Sequence, residues 1–321
     1  MNGLAMVMAG GAGTRMARAG GRVPKPLIPV AGATLLERNI RQLARHGFDT
    51  VIVVISAAAS EIGVHVRRDL VAAAAAAGCH VEIAVEDKPL GNFGAVRMLN
   101  DRMNVGRDAA LVVYADNVTA LDLNAIRDFH KGSGAAMTIA THRQSFTMPF
   151  GEVTLDGSRV LSYREKPQVD FSVCSAISVV DKRVIDAILD GEPMGLSQTV
   201  QRLIARGLPV SAFAHEAPWV DVNDLDAVAR AEDMVRTWPE LFERWSADDL
   251  PLSGTVLLED GGPFAPAVLD IFDASKRCLA RWRVEPGKPE TGRTPDWVIA
   301  RARAFAGADP VRGGSLAALG V

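Results

Sequence analysis

The chain has 321 residues, 48% of them hydrophobic and 23% charged, with a formal net charge of −3. This suits an ordinary globular protein with one large domain and an appendage, or two domains, and not a disordered or fibrous chain. The balance of charge leaves no basic footprint for nucleic acid, no apolar run is long enough to span a membrane or to serve as a leader, and three scattered cysteines (Cys79, Cys174, Cys278) argue against a disulfide framework or a clustered zinc site, so a reducing cytoplasm is the expected location.

In chain order, Leu4 to Ala9 reads as a buried strand, and three glycines (Gly10, Gly11, Gly13) follow it at once. A strand that runs into such a loop lets backbone N–H groups approach a phosphate chain, because no Cβ intervenes. Arg15 adds a planar fork of donors suited to phosphate oxygens. Lys25 stands between Pro24 and Pro26, whose rings restrict the backbone around one cation. It is one of only seven lysines in the chain, and Lys166, followed by Pro167, also falls in a Pro-bounded motif.

Thr34 to His46 has apolar residues at helical spacing and stops at Gly47. Thr50 to Ser56 is a continuous β-branched run, the mark of a strand covered on both faces. Glu61 to Ala77 reads as a helix, Val81 to Glu86 as a strand, Phe93 to Met103 as a short helix and Ala109 to Ala115 as another buried strand. Leu123 to Lys131 reads as a helix and Ala135 to Thr141 as a strand. This alternation predicts a doubly wound, mostly parallel α/β sheet of the Rossmann-like kind, with ligands at the carboxyl ends of its strands. The first loop and Asp116 both lie at such ends, so they can share a site.

Beyond Thr141 the pattern changes. Phe150 to Thr154 and Arg159 to Tyr163 read as a hairpin around Asp156-Gly157, ending in Glu165-Lys166-Pro167. Cys174 to Val180 is a strand, Leu196 to Arg206 a helix and Val210 to Ala214 a strand, followed by Trp219 to Asp224 and a helix to Met234. The predicted division is 1–238 for the main domain and 239–321 for an appendage. In the latter, Thr255 to Ile271 and Ser275 to Ala306, with a helical end, form two sub-segments. The appendage is compatible with a dimerisation element, and so with a homo-oligomer, or with a lid or an accessory domain.

Two familiar phosphate motifs fail on the letters. A G-x-G-x-x-G fingerprint starting at Gly11 meets Met16 at its third glycine, and no Gly-Lys-Ser/Thr triplet occurs in this loop. What stands is G-G-x-G-T-R followed by P-K-P-L-x-P-V, carried by Gly10, Gly11, Gly13, Thr14, Arg15, Pro24, Lys25, Pro26, Leu27, Pro29 and Val30. On these residues the chain resembles the sugar-1-phosphate nucleotidyltransferases, departing at Arg18, Ala19 and Gly20, where the family has Pro-Leu-Thr. Pro89, Leu90, Gly91, Gly94 and Ala95 match the family's second Gly-rich loop, which packs on the nucleotide base. Read alone, that stretch is an ordinary turn before a helix.

The resemblance implies the remaining roles. Asp116 matches a metal-binding aspartate, with Ala115 in place of the family's glycine, and Asp221 matches the second metal ligand in W-x-D, with Asn223-Asp224 in place of Gly-Thr. A carboxylate after a strand also serves commonly as a turn or cap residue. Mg²⁺ on Asp116 and Asp221 is the implied cofactor, and one or two carboxylates with phosphates and water are what that ion takes. Ala9, Gly10, Gly11, Gly13, Thr14, Arg15, Glu86, Pro89 and Gly91 are assigned to the nucleotide. Gly151, Glu165, Lys166 and Ser175 are assigned to the sugar phosphate, although Ala176 and Ser178 replace a glycine and a tyrosine in the strand concerned. Arg15, Lys25, Asp116 and Lys166 form the implied catalytic set.

A sugar 1-phosphate dianion attacks the α-phosphorus of a nucleoside triphosphate (NTP) without a general base, so the chemistry is positioning and charge neutralisation. Glu86 with Pro-Leu-Gly leans to GTP, whereas residues 177–222 resemble uridylyl-transferring members. A non-sugar phosphate or phosphonate acceptor, and a non-catalytic nucleotide-sugar-binding protein, are the alternatives that the departures keep open. A dinucleotide-dependent oxidoreductase fits poorly, since the third fingerprint glycine is missing.

Overall fold

In the computed structural model, residues 3–10, 23–103, 108–242, 254–259, 267–273 and 278–284 are described. The chain divides into two units, Met1–Thr237 and Trp238–Val321. The first unit is built on a seven-stranded sheet. Strand β1 (Gly3–Met8) precedes a single 3-10 turn at Lys25–Leu27, a small hairpin of β2 (Pro29–Val30) and β3 (Ala33–Thr34), helix α1 (Leu35–Arg45) and β4 (Phe48–Ser56). Helix α2 (Ser60–His65) passes through a π turn (Val66–Leu70) into α3 (Val71–Ala76), and β5 (His80–Glu86) follows. A 3-10 stretch (Gly94–Leu99) and α4 (Asn100–Met103) lead to β6 (Ala109–Tyr114), β7 (Asn117–Thr119) and α5 (Leu123–Ser133). Then come β8 (Met137–Thr147), β9 (Glu152–Asp156), β10 (Arg159–Arg164), β11 (Gln168–Asp181), α6 (Lys182–Ala187), α7 (Leu196–Ala205), β12 (Val210–His215), β13 (Trp219–Asp221) and α8 (Leu225–Thr237).

The sheet order is β12-β8-β11-β6-β1-β4-β5. Strand β11 runs antiparallel to both β6 and β8, and every other pairing in the sheet is parallel. The mostly parallel expectation holds, and the exception has a connective cause. β8 reaches β11 through the β9–β10 ribbon and not through a crossover helix, so the chain must return antiparallel.

Burial explains the central strands. Val51 to Ile55 of β4 are all no more than 4% exposed, as a β-branched run covered on both faces should be. Leu4 and Met6 of β1, Ile52 and Val54 of β4, and Ala110 and Val112 of β6 pack in one cluster with Phe93, Leu99, Val184 and Ile185. The register sets Met8 beside Val54 and Tyr114, and Ser56 beside Glu86. Gly10, Glu86 and Asp116 therefore emerge at one sheet edge.

Several expected elements differ in extent. The helix over Glu61 to Ala77 contains the π turn. The helix over Phe93 to Met103 is mostly a 3-10 stretch, because Phe93 N and Gly94 N both donate to Met194 O, at 2.9 and 3.0 Å. Strands β8 and β11 extend well past Thr141 and before Cys174, pairing with each other out to Thr147 and Gln168. The β11 arm alternates polar and apolar residues, the β8 arm is polar apart from Phe146, and the Phe146 and Phe171 rings meet edge to face at 5.7 Å.

In the second unit, β14 (Gly254–Glu259), β15 (Ala267–Asp273) and β16 (Cys278–Val284) form an antiparallel sheet in that order. The helical end expected near Ala306 lies outside the described residues. No helix among those residues is long and apolar enough to cross a membrane.

Candidate active site

Lys25 is presented by a rigid turn. Leu27 N donates to Pro24 O at 2.8 Å and Ile28 N to Lys25 O at 3.1 Å, while Pro26 is buried. The ammonium lies 2.6 Å from Asp116 Oδ2 and 2.6 Å from Asn223 Oδ1, donating to both. It is also 4.0 Å from Asp221 Oδ1. Asn223 Nδ2 in turn donates to Asp221 Oδ2. Residues 91 and 198 positions apart from Lys25 thus meet at one cation.

The loops that carry the two aspartates are tied together. β7 and β13 pair antiparallel, with Asp221 opposite Asn117, and Val222 N donates to Asp116 O at 3.0 Å. Helix α1 braces them from beneath. Its buried Asn39 donates from Nδ2 to Ala115 O at 3.3 Å and to Asn117 O at 3.0 Å, and its buried Gln42 donates to Leu121 O at 2.9 Å. Arg38, 4% exposed, donates to Val30 O and Ala31 O just beyond the Lys25 turn. Asp224 caps α8 through Ala227 N at 2.7 Å. Arg38, Asn39, Gln42 and Asn117 were given no role from the sequence, and Asn223 was named only as a departure from the family's glycine. The available signal was polar residues on the face of α1 that the apolar spacing assigns to the core.

The nucleotide-assigned residues fall into three groups. Gly11, Gly13, Thr14 and Arg15 lie outside the described residues. Ala9 is buried and donates from its N to Val54 O at 2.9 Å. Gly10 lies against Glu86, since a Cβ there would come 2.7 Å from Glu86 Oε2. Glu86 is 6% exposed, and among the described residues its Oε1 has no hydrogen-bond partner. Burial pushes its carboxyl above the usual range, while the Leu90 backbone N–H pulls it back. Pro89 is exposed. Gly91 has φ +76°, and a Cβ on it would lie 2.6 Å from Met194 O, so this loop needs glycine twice over.

Of the residues assigned to the sugar phosphate, Gly151 and Glu165 meet on Tyr163. A Cβ on Gly151 would fall 2.0 Å from Tyr163 Oη, and that hydroxyl donates to Glu165 Oε2 at 2.8 Å. Lys166 is exposed and holds φ +43°, a left-handed conformation rare for a side-chain-bearing residue. Ser175 is 0% exposed, with its hydroxyl engaged by two histidines. Ala176, at the family's glycine, holds φ +55°.

Asp116 and Asp221, beside the Asn223 amide oxygen, form an all-oxygen donor set around a site already occupied by positive charge. That chemistry fits a hard divalent cation such as Mg²⁺. Among the described residues no three His, Cys, Asp or Glu side chains gather closely enough to cage a metal. The two carboxylates would hold the ion with phosphate oxygens and water completing its shell.

A family model described as nucleotidyl transferase matches residues 4–237. The UTP–glucose-1-phosphate uridylyltransferase of Synechocystis sp. is 30% identical over 231 residues, covering 68% of this chain and 60% of that protein. The mannose-1-phosphate guanylyltransferase of Mycobacterium tuberculosis is 28% identical over 272 residues, covering 83% and 72%. With the Synechocystis protein and several guanylyltransferases, the match spans about three fifths of the relative's length. Among solved structures, a Bacillus anthracis protein assigned as a glucose-1-phosphate thymidylyltransferase superposes with a TM-score of 0.56 at 17% identity, covering 73% of this chain and 95% of that one. At that identity the likeness is one of fold.

Proposed function

This chain belongs to the nucleotidyl transferase family, and from that membership we propose that it transfers a nucleoside monophosphate from an NTP to a sugar 1-phosphate, releasing pyrophosphate. The observation that carries the reading is the Lys25 ammonium held 2.6 Å from Asp116 and 4.0 Å from Asp221 at the carboxyl edge of the sheet. An oxygen of the sugar phosphate forms the new bond to the α-phosphorus, and the bond from that phosphorus to the β-phosphate bridging oxygen breaks. The electron pair leaves with pyrophosphate. No general base is needed, since the attacking phosphate is already ionised near neutral pH.

Each group then acts on charge or position. Lys25 shifts its hydrogen bonds from Asp116 and Asn223 to the α-phosphate. Arg15 and the N–H groups of Gly11 to Thr14 hold the departing pyrophosphate. Lys166 holds the sugar phosphate, while Gly151, with Tyr163 lying over it, and Glu165 shape the acceptor pocket. Mg²⁺ on Asp116 and Asp221 would neutralise phosphate oxygens. Residues 1–238 constitute the catalytic domain, and 239–321 the appendage.

GTP is the favoured donor. Guanine presents two adjacent N–H donors, at N1 and N2, and a carboxylate accepts both at once. Glu86 ends β5 against Gly10 with an oxygen to spare among its described neighbours. Uracil offers one such donor.

The test is pyrophosphate release with Mg²⁺, crossing ATP, GTP, CTP, UTP and dTTP with a panel of sugar 1-phosphates. Release with GTP and one sugar is the expected result. Release with another base overturns the donor assignment alone, and silence across the panel overturns the reaction.

A further inference from the structure

A half-buried polar knot, closed around the fully buried Ser175, joins four strands beside this site, and the proposed reaction leaves it without a role. Ser175 Oγ lies 3.0 Å from His142 Nδ1 and 2.7 Å from His215 Nε2. The two histidines are cross-strand partners on β8 and β12. The His142 ring also packs on Trp219 of β13, with centroids 4.4 Å apart. A hydroxyl has one hydrogen to give and lone pairs to share, so it can donate to one neutral imidazole and accept from the other. Such a network holds its geometry only while all its members are present.

Ser175 sits in an irregularity of β11. Pairing with β8 shifts between Cys174 and Ser178, and Ala176 takes its left-handed conformation there. The shift turns two successive carbonyls out of the ladder. Ser175 O accepts from Trp219 Nε1 at 2.9 Å, and Ala176 O accepts from Asn117 Nδ2 at 3.1 Å. Asn117 adjoins Asp116, and Trp219 stands two residues before Asp221. One bulge therefore holds β7, which follows Asp116, and β13, which carries Asp221, by one carbonyl each.

We propose that the Ser175–His142–His215 knot is a positioning device that fixes the β11 bulge and thereby sets the spacing of Asp116 and Asp221 for a divalent cation. The inference rests on the nucleotidyl-transfer reading only for its purpose; the coupling to the carboxylates is tested by itself. Ser175 thus acts through the carboxylate strands, with its hydroxyl turned to the histidines.

The experiment is calorimetric titration of the full chain with Mn²⁺, and separately with GTP and UTP in the absence of metal. Ser175→Ala removes the shared hydroxyl. His215→Phe removes one ring partner, and His215→Gln restores a polar one. Ser175→Ala and His215→Phe are expected to weaken Mn²⁺ binding by about tenfold, the size typical of losing a partner that orients a ligand. Metal-free nucleotide affinity should stay within about twofold, and His215→Gln should recover most of the Mn²⁺ affinity. Unchanged Mn²⁺ binding in the folded variants would overturn the proposal. So would an equal loss of metal-free nucleotide binding, or failure of both Ser175→Ala and His215→Phe to fold, since either would make the knot general core. A wild-type protein without pyrophosphate release would sink the reaction and leave the Mn²⁺ comparison intact.

Discussion

Replacing Lys25 by methionine keeps the bulk of the side chain and removes one charge. In the folded protein that charge donates to Asp116 and Asn223 at 2.6 Å each and faces Asp221 at 4.0 Å. The side chains of Lys25, Asp116 and Asp221 are 14%, 29% and 37% exposed, so solvent screens the cluster only in part. A hydrogen bond to a charged group contributes about 1.5–3 kcal/mol, and a carboxylate stripped of its cation adds a repulsive cost. Partial exposure places the expected loss at about 2–3 kcal/mol without metal. For a unit of this size, melting should fall by roughly 4–10 °C. Added Mg²⁺ or Mn²⁺ should recover much of that loss, because the divalent ion replaces the missing charge, and should shift the wild type less. Turnover should drop by about 10²–10³-fold, as for the loss of one preorganised donor on a developing charge. Thermal melts with and without metal, run beside pyrophosphate release, read both effects. Turnover within tenfold of wild type, or equal metal-induced shifts in the two proteins, would refute the placement of Lys25 between the carboxylates and the α-phosphate.

Other outcomes follow from single contacts. Gly151→Ala places a Cβ 2.0 Å from Tyr163 Oη, so the ring must move and release Glu165; the KM for the sugar phosphate should rise about tenfold while that for the nucleotide holds, and adding Tyr163→Ala should relieve the clash. Glu86→Gln should weaken GTP by about tenfold and leave UTP within twofold, measured by calorimetry; an equal loss for both nucleotides would count against base recognition there. Gly91→Ala forces a side chain onto φ +76° against the Met194 carbonyl and should cost about 2–4 kcal/mol in denaturant unfolding. Burial, with His142 beside it, lowers the pKa of His215 to about 4, and burial also lowers that of His142. Folding therefore disfavours the charged form of each ring, and the His215 contribution to stability is full above pH 6.5 and lost as pH falls toward 4, by roughly 2–3 kcal/mol. His215→Phe should flatten that slope, and an unchanged slope would place the titration elsewhere.

Much of the architecture is legible in local pattern. The β-branched run in β4, the apolar run in β1 and the Thr34 cap with Glu37 three residues on each act over a few residues, and each element stands where its letters place it. The Pro-bounded turn of Lys25 and the aspartate after β6 are local in the same way. Less legible are the extended arms of β8 and β11, since the β8 arm is almost wholly polar and the alternation of the β11 arm gains meaning only once the two strands pair, and the 3-10 stretch at Gly94, which follows from a carbonyl at Met194 a hundred residues away.

By itself, the sequence determined most of the strands and helices of the first unit, the mostly parallel sheet and residue types suited to a phosphate chain, because hydrophobic periodicity and proline and glycine geometry are properties of neighbours. Only the tertiary structure decided that Asn223, at a position where glycine was expected, would join Lys25 to Asp221, that Asn39 would brace the Asp116 loop, and that Ser175 would turn inward to two histidines. Those contacts join residues up to 198 positions apart. Their partners are set by sheet register and strand direction, which no short stretch of chain encodes.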